Sequence, residues 1–277
     1  VLFVVAYPLY WVIISSISAP SAVSSGKVLL HPIGFTLKGY AEVFKNDQVM
    51  RGFLNSLIIT FCGVMVNLIV TLPTSYALSR SNFSGKKPIS IFYLITMFFG
   101  GGLIPTYLVI QRLQMLNTIW ALILPGCLSV YNMIVARTFF KSNISEELYE
   151  AAEIDGCTQA RFFFQIALPL SKAIIAILVL YYGVGHWNSY FSALVYISDK
   201  AKYPLQLVLR NILITNQTAL SQTATTAAAR AALQEKQQLI DVMKYSLIII
   251  SSIPVLVMYP LVQKHFVKGV MIGSMKG

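Results

Sequence analysis

Charge is scarce in this chain: only 11% of its 277 residues are charged, against about 25% in an ordinary soluble domain. With 56% hydrophobic residues and a mean hydropathy of +0.69, that scarcity excludes a soluble globular protein and points to an integral membrane protein. Cysteine is limited to Cys62, Cys127 and Cys157, which follow neither a metal nor a disulfide spacing and read as free packing thiols. The three histidines, His31, His186 and His265, lie near expected membrane edges or in loops. No His/Asp/Glu, Ser/Lys or metal cluster falls at membrane depth, so a membrane-embedded enzyme is disfavoured. The centres of the apolar stretches contain no Asp, Glu, Lys, Arg or His. A proton- or sodium-coupled carrier usually keeps an ionisable group there. A gradient-driven secondary transporter of a small polar solute is therefore the alternative rather than the main reading, and energy must enter elsewhere. The net charge of +11 invites a nucleic-acid reading, but the 21 Lys and Arg residues form no stripe or block, and no nucleic-acid partner is expected.

What the chain has instead is apolar length. About 20 helical residues cross a hydrocarbon core, and six stretches qualify, approximately 1–16, 53–79, 89–110, 118–136, 168–190 and 245–262. The fifth is the shortest in its core, Ala173 to Gly185. Val1 already lies within an apolar run without a basic leader or cleavage site, so residues before it are expected and a signal peptide is not. Arg80, Lys86, Lys87, Arg137, Lys141, Arg161, Lys172, Lys264, Lys268 and Lys276 fall in one set of short loops, which the positive-inside rule makes cytoplasmic. Both termini are then cytoplasmic. Residues 191–244 form an extracytoplasmic loop, polar over Thr215 to Gln238, and 263–277 a cytoplasmic tail. Pro73, Pro105, Pro125, Pro254 and Pro260, with Gly100 to Gly102, are expected to interrupt the spans, which lipid tolerates only where neighbours satisfy the freed carbonyls.

One segment stands apart. Glu146, Glu147, Glu150, Glu153 and Asp155 are half of the ten acidic residues and sit on the cytoplasmic side. Ser145 is placed to cap a helix there, with Glu146 and Glu147 in the favourable first turn. Glu146, Glu150 and Glu153 recur on one face beside Ala151 and Ala152, and Gly156 supplies a left-handed stop. A second helix is expected from Thr158, gripping with Phe162, Phe163 and Phe164. The segment reads as a docking surface.

Glu150-Ala151-Ala152, Asp155-Gly156 and Ile166-Ala167-Leu168-Pro169 resemble, at the right spacing, the EAA motif of binding-protein-dependent ABC importer permeases. Cys157 departs mildly from the small residue usual there. Tyr76-Ala77-Leu78-Ser79-Arg80 with Phe83 and Gly85, Gly101-Gly102-Leu103-Ile104-Pro105-Thr106-Tyr107, Trp187-Asn188-Ser189-Tyr190 and the tail from Gly269 to Gly277 are similar to the maltose-type carbohydrate group, most closely its oligosaccharide and polysaccharide-fragment subgroup. The resemblance implies an all-α polytopic type I importer permease fold with six transmembrane helices. It also implies a cytoplasmic coupling helix over 145–157, in which Glu146, Glu150, Ala151, Ala152, Asp155 and Gly156 engage an ATPase. Implied partners are a second homologous permease, an ATPase dimer that binds ATP and Mg, an extracytoplasmic solute-binding protein, carbohydrate and membrane lipid, in a bacterial cytoplasmic membrane; this chain holds no cofactor. Aromatic faces stack on sugar rings and amides bond hydroxyls, which makes Trp187, Asn188, Tyr190, Tyr131 and Asn132 candidates for the substrate path. Tyr and Trp also suit membrane interfaces, and Asn suits interhelical bonds.

Overall fold

The computed structural model of the chain describes residues 2–218 and 227–274, and among these every regular element is helical. Helices α1 (Leu2–Ser16), α2 (Pro20–Ser24) and α3 (Lys38–Lys45) precede the long α4 (Asp47–Ser79). There follow α5 (Lys86–Phe98), α6 (Leu103–Arg112), α7 (Trp120–Ile123), α8 (Val130–Asn143), α9 (Glu146–Ile154), α10 (Gln159–Phe162), α11 (Leu168–Leu170) and α12 (Lys172–Trp187). The chain ends with α13 (Phe191–Tyr196), α14 (Leu205–Thr218) and α15 (Ala227–Ser274).

Among the described residues two helices, α4 and the Gln238–Pro260 part of α15, are long and apolar enough to cross a membrane unaided. The expected third, fourth and fifth spans are not straight. The α5–α6 pair is bent by 114°, the α7–α8 pair by 52°, and the segment Gln159–Leu170 meets α12 at 80°. Of the five prolines expected to interrupt the spans, Pro125 lies at a bend, in the turn Leu124–Gly126 between α7 and α8. Pro73, Pro254 and Pro260 lie inside continuous helices, and Pro105 sits in the first turn of α6, where its missing N–H costs nothing. The sharpest bend falls at Gly100 to Gly102, where an interruption is expected, the last with φ +85°, a conformation that only glycine adopts freely. Within the expected fifth span, 168–190, the continuous helix is α12, 16 residues from Lys172 to Trp187. Residues 191–244 are not a plain loop, since α13, α14 and the start of α15 lie there. Residues 219–226 of that segment, and Met275 to Gly277 of the expected tail, lie outside the described residues.

The chain divides into two compact units, Val1–Leu57 with Ser189–Leu256, and Ile58–Asn188 with Val257–Gly277. In the first, Ile14, Val23, Val28 and Val242 form a small core flanked by Trp11 and Tyr245. The Trp11 indole N–H donates to Val28 O at 2.8 Å, and Asn55 Nδ2 donates to Ala201 O and Tyr203 O. Gly39 lies so close to Val242 and Ser246 that a Cβ there would meet the Ser246 hydroxyl at 2.5 Å.

In the second unit the bend between α7 and α8 is closed by side chains from α4 and α12. Asn67 Nδ2 donates to the carbonyls of Gly126 and Cys127, both at 2.8 Å, and its Oδ1 lies 2.7 Å from His186 Nε2. Because the two carbonyls claim the amide hydrogens, His186 Nε2 is the donor to Oδ1. Tyr182 accepts the Ser129 N–H and is 2.7 Å from Thr71 Oγ1. Two carbonyls and one N–H at the break are thus satisfied within the protein, as an apolar environment demands. Asn67→Ala strips the partners from these groups, and a loss of about 1–3 kcal/mol is expected. A lowered midpoint in thermal unfolding of the purified protein, not reproduced by Asn82→Ala at an exposed position, checks this.

Candidate functional site

The acidic segment folds as its local signals dictate. Ser145 has the extended backbone of an N-cap, φ −68° and ψ 155°, and its hydroxyl accepts the Leu148 N–H at 3.3 Å. Glu146 and Glu147 occupy the first turn. The Glu147 carboxyl is held below the usual range because it accepts its own backbone N–H and bonds Ser145. At the other end, Cys157 N donates to Ala152 O at 2.9 Å and Gly156 N to Glu153 O at 3.0 Å. With Gly156 at φ +74°, this is a Schellman stop, and Ala152 and Cys157 make its apolar contact against the core. Thr158 then caps α10 by accepting the Arg161 N–H.

The inner face of α9 is apolar and aromatic. Tyr149 is buried, meets Phe162 edge-on at 5.2 Å, and belongs to a cluster with Tyr76, Phe140, Phe162 and Phe163. Phe164 departs from the expected three-residue grip and is 64% exposed. Residues Phe163–Ala167 form a π-helical turn, whose wider winding turns Phe164 away from the cluster its two neighbours enter.

Glu146 does not face outward with the other carboxylates. It is ion-paired with Arg80 Nη2, just beyond the end of α4, and accepts the Ser81 N–H at 3.1 Å. The Arg80 guanidinium lies 4.5 Å from the Tyr149 ring centroid and 5.7 Å from that of Tyr76, a cation–π arrangement. Arg80 therefore ties the first turn of α9 to the end of α4. A cavity of about 360 Å³ adjoins this joint, with Pro73, Tyr76, Arg80, Phe83, Tyr149 and Phe163 among its walls. Glu150, Ala151, Glu153, Asp155 and Gly156 are exposed, and Ile154 is 86% exposed. Sequence reasoning missed Arg80, Tyr149 and Ile154 as parts of this site. A lone apolar residue amid Glu153 and Asp155 was the available signal for Ile154.

The candidates for a substrate path separate by burial. Trp187 is only 2% exposed and Asn132 7%, so both are buried within this chain. Trp187 ends the apolar α12, and its indole is more stable packed than wetted. Tyr131, Asn188 and Tyr190 are exposed, and Asn188 Nδ2 bonds Val184 O at 3.1 Å.

Residues 47–272 match the family described as "Binding-protein-dependent transport system inner membrane component". The chain is similar to the polygalacturonan/rhamnogalacturonan transport system permease protein YtcP of Bacillus subtilis (strain 168), 37% identical over 98% of this chain and 92% of that protein. It is 39% identical to protein LplC of the same organism, over 98% of this chain and 89% of LplC. Among solved structures it is similar to a bacterial ABC transporter involved in the import of the acidic polysaccharide alginate. The TM-score is 0.85 and the identity 28%, covering 95% of this chain and 91% of that one. With the family matched over 47–272 and two relatives above 30% identity along nearly its whole length, the chain belongs to the binding-protein-dependent transport system inner membrane components, as a non-catalytic permease subunit of an ABC importer in the plasma membrane.

Proposed function

We propose that this subunit moves an oligosaccharide rich in acidic sugars, and that α9 with its Gly156 stop is the coupling helix through which ATP hydrolysis in a partner drives it. The family implies a solute-binding protein, a second permease and ATPase subunits as partners; ATP and Mg belong to the ATPase. The observation that carries the coupling reading is the construction of α9. Its outer face presents Glu150, Glu153, Ile154 and Asp155 to solvent, while its first turn is bound to the end of α4 through Arg80. A partner that grips the outer face pulls directly on a 33-residue helix. In this reading α9 and both termini are cytoplasmic and the density of Lys and Arg in short loops sets that orientation. The six spans of the expected topology remain part of the proposal.

The acidic cargo is supported by the names of the relatives, a polygalacturonan/rhamnogalacturonan permease and an alginate importer. It also agrees with the lack of Asp and Glu in the apolar cores of the spans, where a carboxylate would repel a uronic acid in a poorly screened environment. Tyr131, Asn188 and Tyr190 are the path candidates that solvent reaches. Membership in the family leaves the gradient-driven carrier without support.

The test uses the assembled importer in proteoliposomes. Ile154→Cys, in a Cys157→Ser background, is expected to cross-link to the ATPase through a short bismaleimide. Glu150→Lys is expected to cut uptake at least about tenfold while leaving membrane insertion intact, since charge reversal at a docked contact costs over about 1.4 kcal/mol. Binding protein loaded with an oligogalacturonate should stimulate ATP hydrolysis more than the same protein offered a neutral glucan of equal length. No cross-link and unchanged uptake would overturn the coupling assignment, and stimulation by the neutral glucan alone would overturn the acidic cargo.

A further inference from the structure

Four cations gather where α5 begins and α8 ends. Lys86 and Lys87 open α5, while Arg137 and Lys141 lie one turn apart near the end of α8. The two helices pack together, with Arg137 Nη1 3.4 Å from Ser90 Oγ. Lys86 Nζ donates to Arg80 O at 3.2 Å, and the charges of Arg137, Lys141 and Arg80 all repel its own. Among the described residues the ion pairs are Lys45–Glu42, Arg80–Glu146, Lys202–Asp199 and Lys244–Asp241. None of the four cations has a carboxylate partner there. Glu146 is the acidic group whose charge reaches Lys86, and it is already bound by Arg80 and Ser81.

Burial and then this repulsion disfavour the charge on Lys86, and an anion from outside the chain would relieve it. The surroundings say what kind of anion. Immediately beyond Lys86 and Lys87, the face of α5 exposes Ile91, Phe92, Ile95 and Phe98, apolar side chains that belong at acyl-chain depth. In a bilayer that covers this apolar face, Lys86 and Lys87 would lie one turn outside it, at the level of lipid headgroups. A planar guanidinium together with ammonium groups on two packed helix ends suits the oxygens of a phosphate.

We propose that Lys86, Lys87, Arg137 and Lys141 form a binding site for the headgroup phosphate of an anionic membrane phospholipid. The site lies beside the Arg80–Glu146 joint, so a bound lipid would steady the end of α4 to which α9 is tied. This inference does not depend on the nature of the transported solute or on α9 docking an ATPase.

The assembled importer is placed in phosphatidylcholine nanodiscs, and retention of labelled phosphatidylglycerol is compared with that of labelled phosphatidylcholine. Wild type is expected to prefer phosphatidylglycerol. Each basic residue near the surface contributes roughly a fivefold preference, so Lys87→Gln/Lys141→Gln, which alters two exposed side chains, should lower it by roughly 25-fold. The variant Lys86→Arg/Lys87→Arg/Lys141→Arg should keep it. Inorganic phosphate at millimolar concentration should not displace the lipid, because it lacks the acyl chains that hold the headgroup at this depth. Three results overturn the proposal: equal retention of both lipids by wild type, an unchanged preference in the double Gln variant, or displacement by inorganic phosphate, which would make this a free-anion site. Thermal unfolding of the double variant is measured alongside, so that loss of assembly is not read as loss of lipid.

Discussion

Arg80→Glu is expected to reduce uptake to below about a tenth of the wild-type rate, and adding Glu146→Arg to recover most of it. The single change sets two carboxylates against each other where an ion pair stood. At contact distance and an effective dielectric near 20 the Coulomb term is about 4 kcal/mol. The Glu146 side chain is 42% exposed and Arg80 only 12%, so solvent screening cuts the net effect to about 1–2 kcal/mol. That is enough to release the first turn of α9 from α4 for much of the time. ATP hydrolysis by the assembled complex should continue or rise while uptake falls, because the fault lies between the subunit that burns ATP and the helices that move. The swapped pair restores the attraction but not the geometry of the guanidinium between Tyr76 and Tyr149, so recovery is partial. Failure of the swap to recover any transport would mean that Arg80 acts other than through Glu146.

A comparable loss is expected for Gly156→Val, by a different route. No atom lies within 4 Å of where a Cβ would stand, so the valine meets no steric obstacle. The cost is in the backbone, since φ +74° is about 1–2 kcal/mol unfavourable for an L-residue and worse for a β-branched one. Relief comes by unwinding the Schellman stop, which shifts Asp155 and re-aims the segment from Thr158 onward. Uptake should fall below about a tenth for valine, whereas Gly156→Asn should stay near wild type, because asparagine tolerates the left-handed region. Rates for the glycine, asparagine, alanine and valine forms that fail to fall in that order would contradict a conformational role for this residue.

The pattern of what could be read from sequence follows the range of the forces involved. Ser145, Gly156 and Thr158 were legible because caps and stops are decided by residues within four or five positions of one another. The Arg80–Glu146 pair was not, because its members are 66 residues apart and each alone suits its own helix end. The family resemblance and the helical class were legible from motif spacing and apolar length. The break at Gly100 to Gly102 was legible, but neither its 114° angle nor the 80° bend before α12 was, since an apolar run has the same composition whether it crosses a membrane straight or turns back. Trp187 shows the same limit. An aromatic residue at a span end reads identically whether it anchors at the interface or packs inside, and only the neighbours settled it.

The exposed Ile154, with Phe164 in the π-helical turn, has a consequence for the life of the protein in the cell. Both are greasy side chains that lipid does not cover if α9 faces the cytoplasm, so a copy made in excess of its partners carries a sticky surface in plain view of the quality-control machinery. Orphan copies should be short-lived and assembled ones long-lived. Balanced synthesis of the importer's subunits would then be enforced by degradation of whatever is left over, with the same two residues serving as the mark of an incomplete assembly.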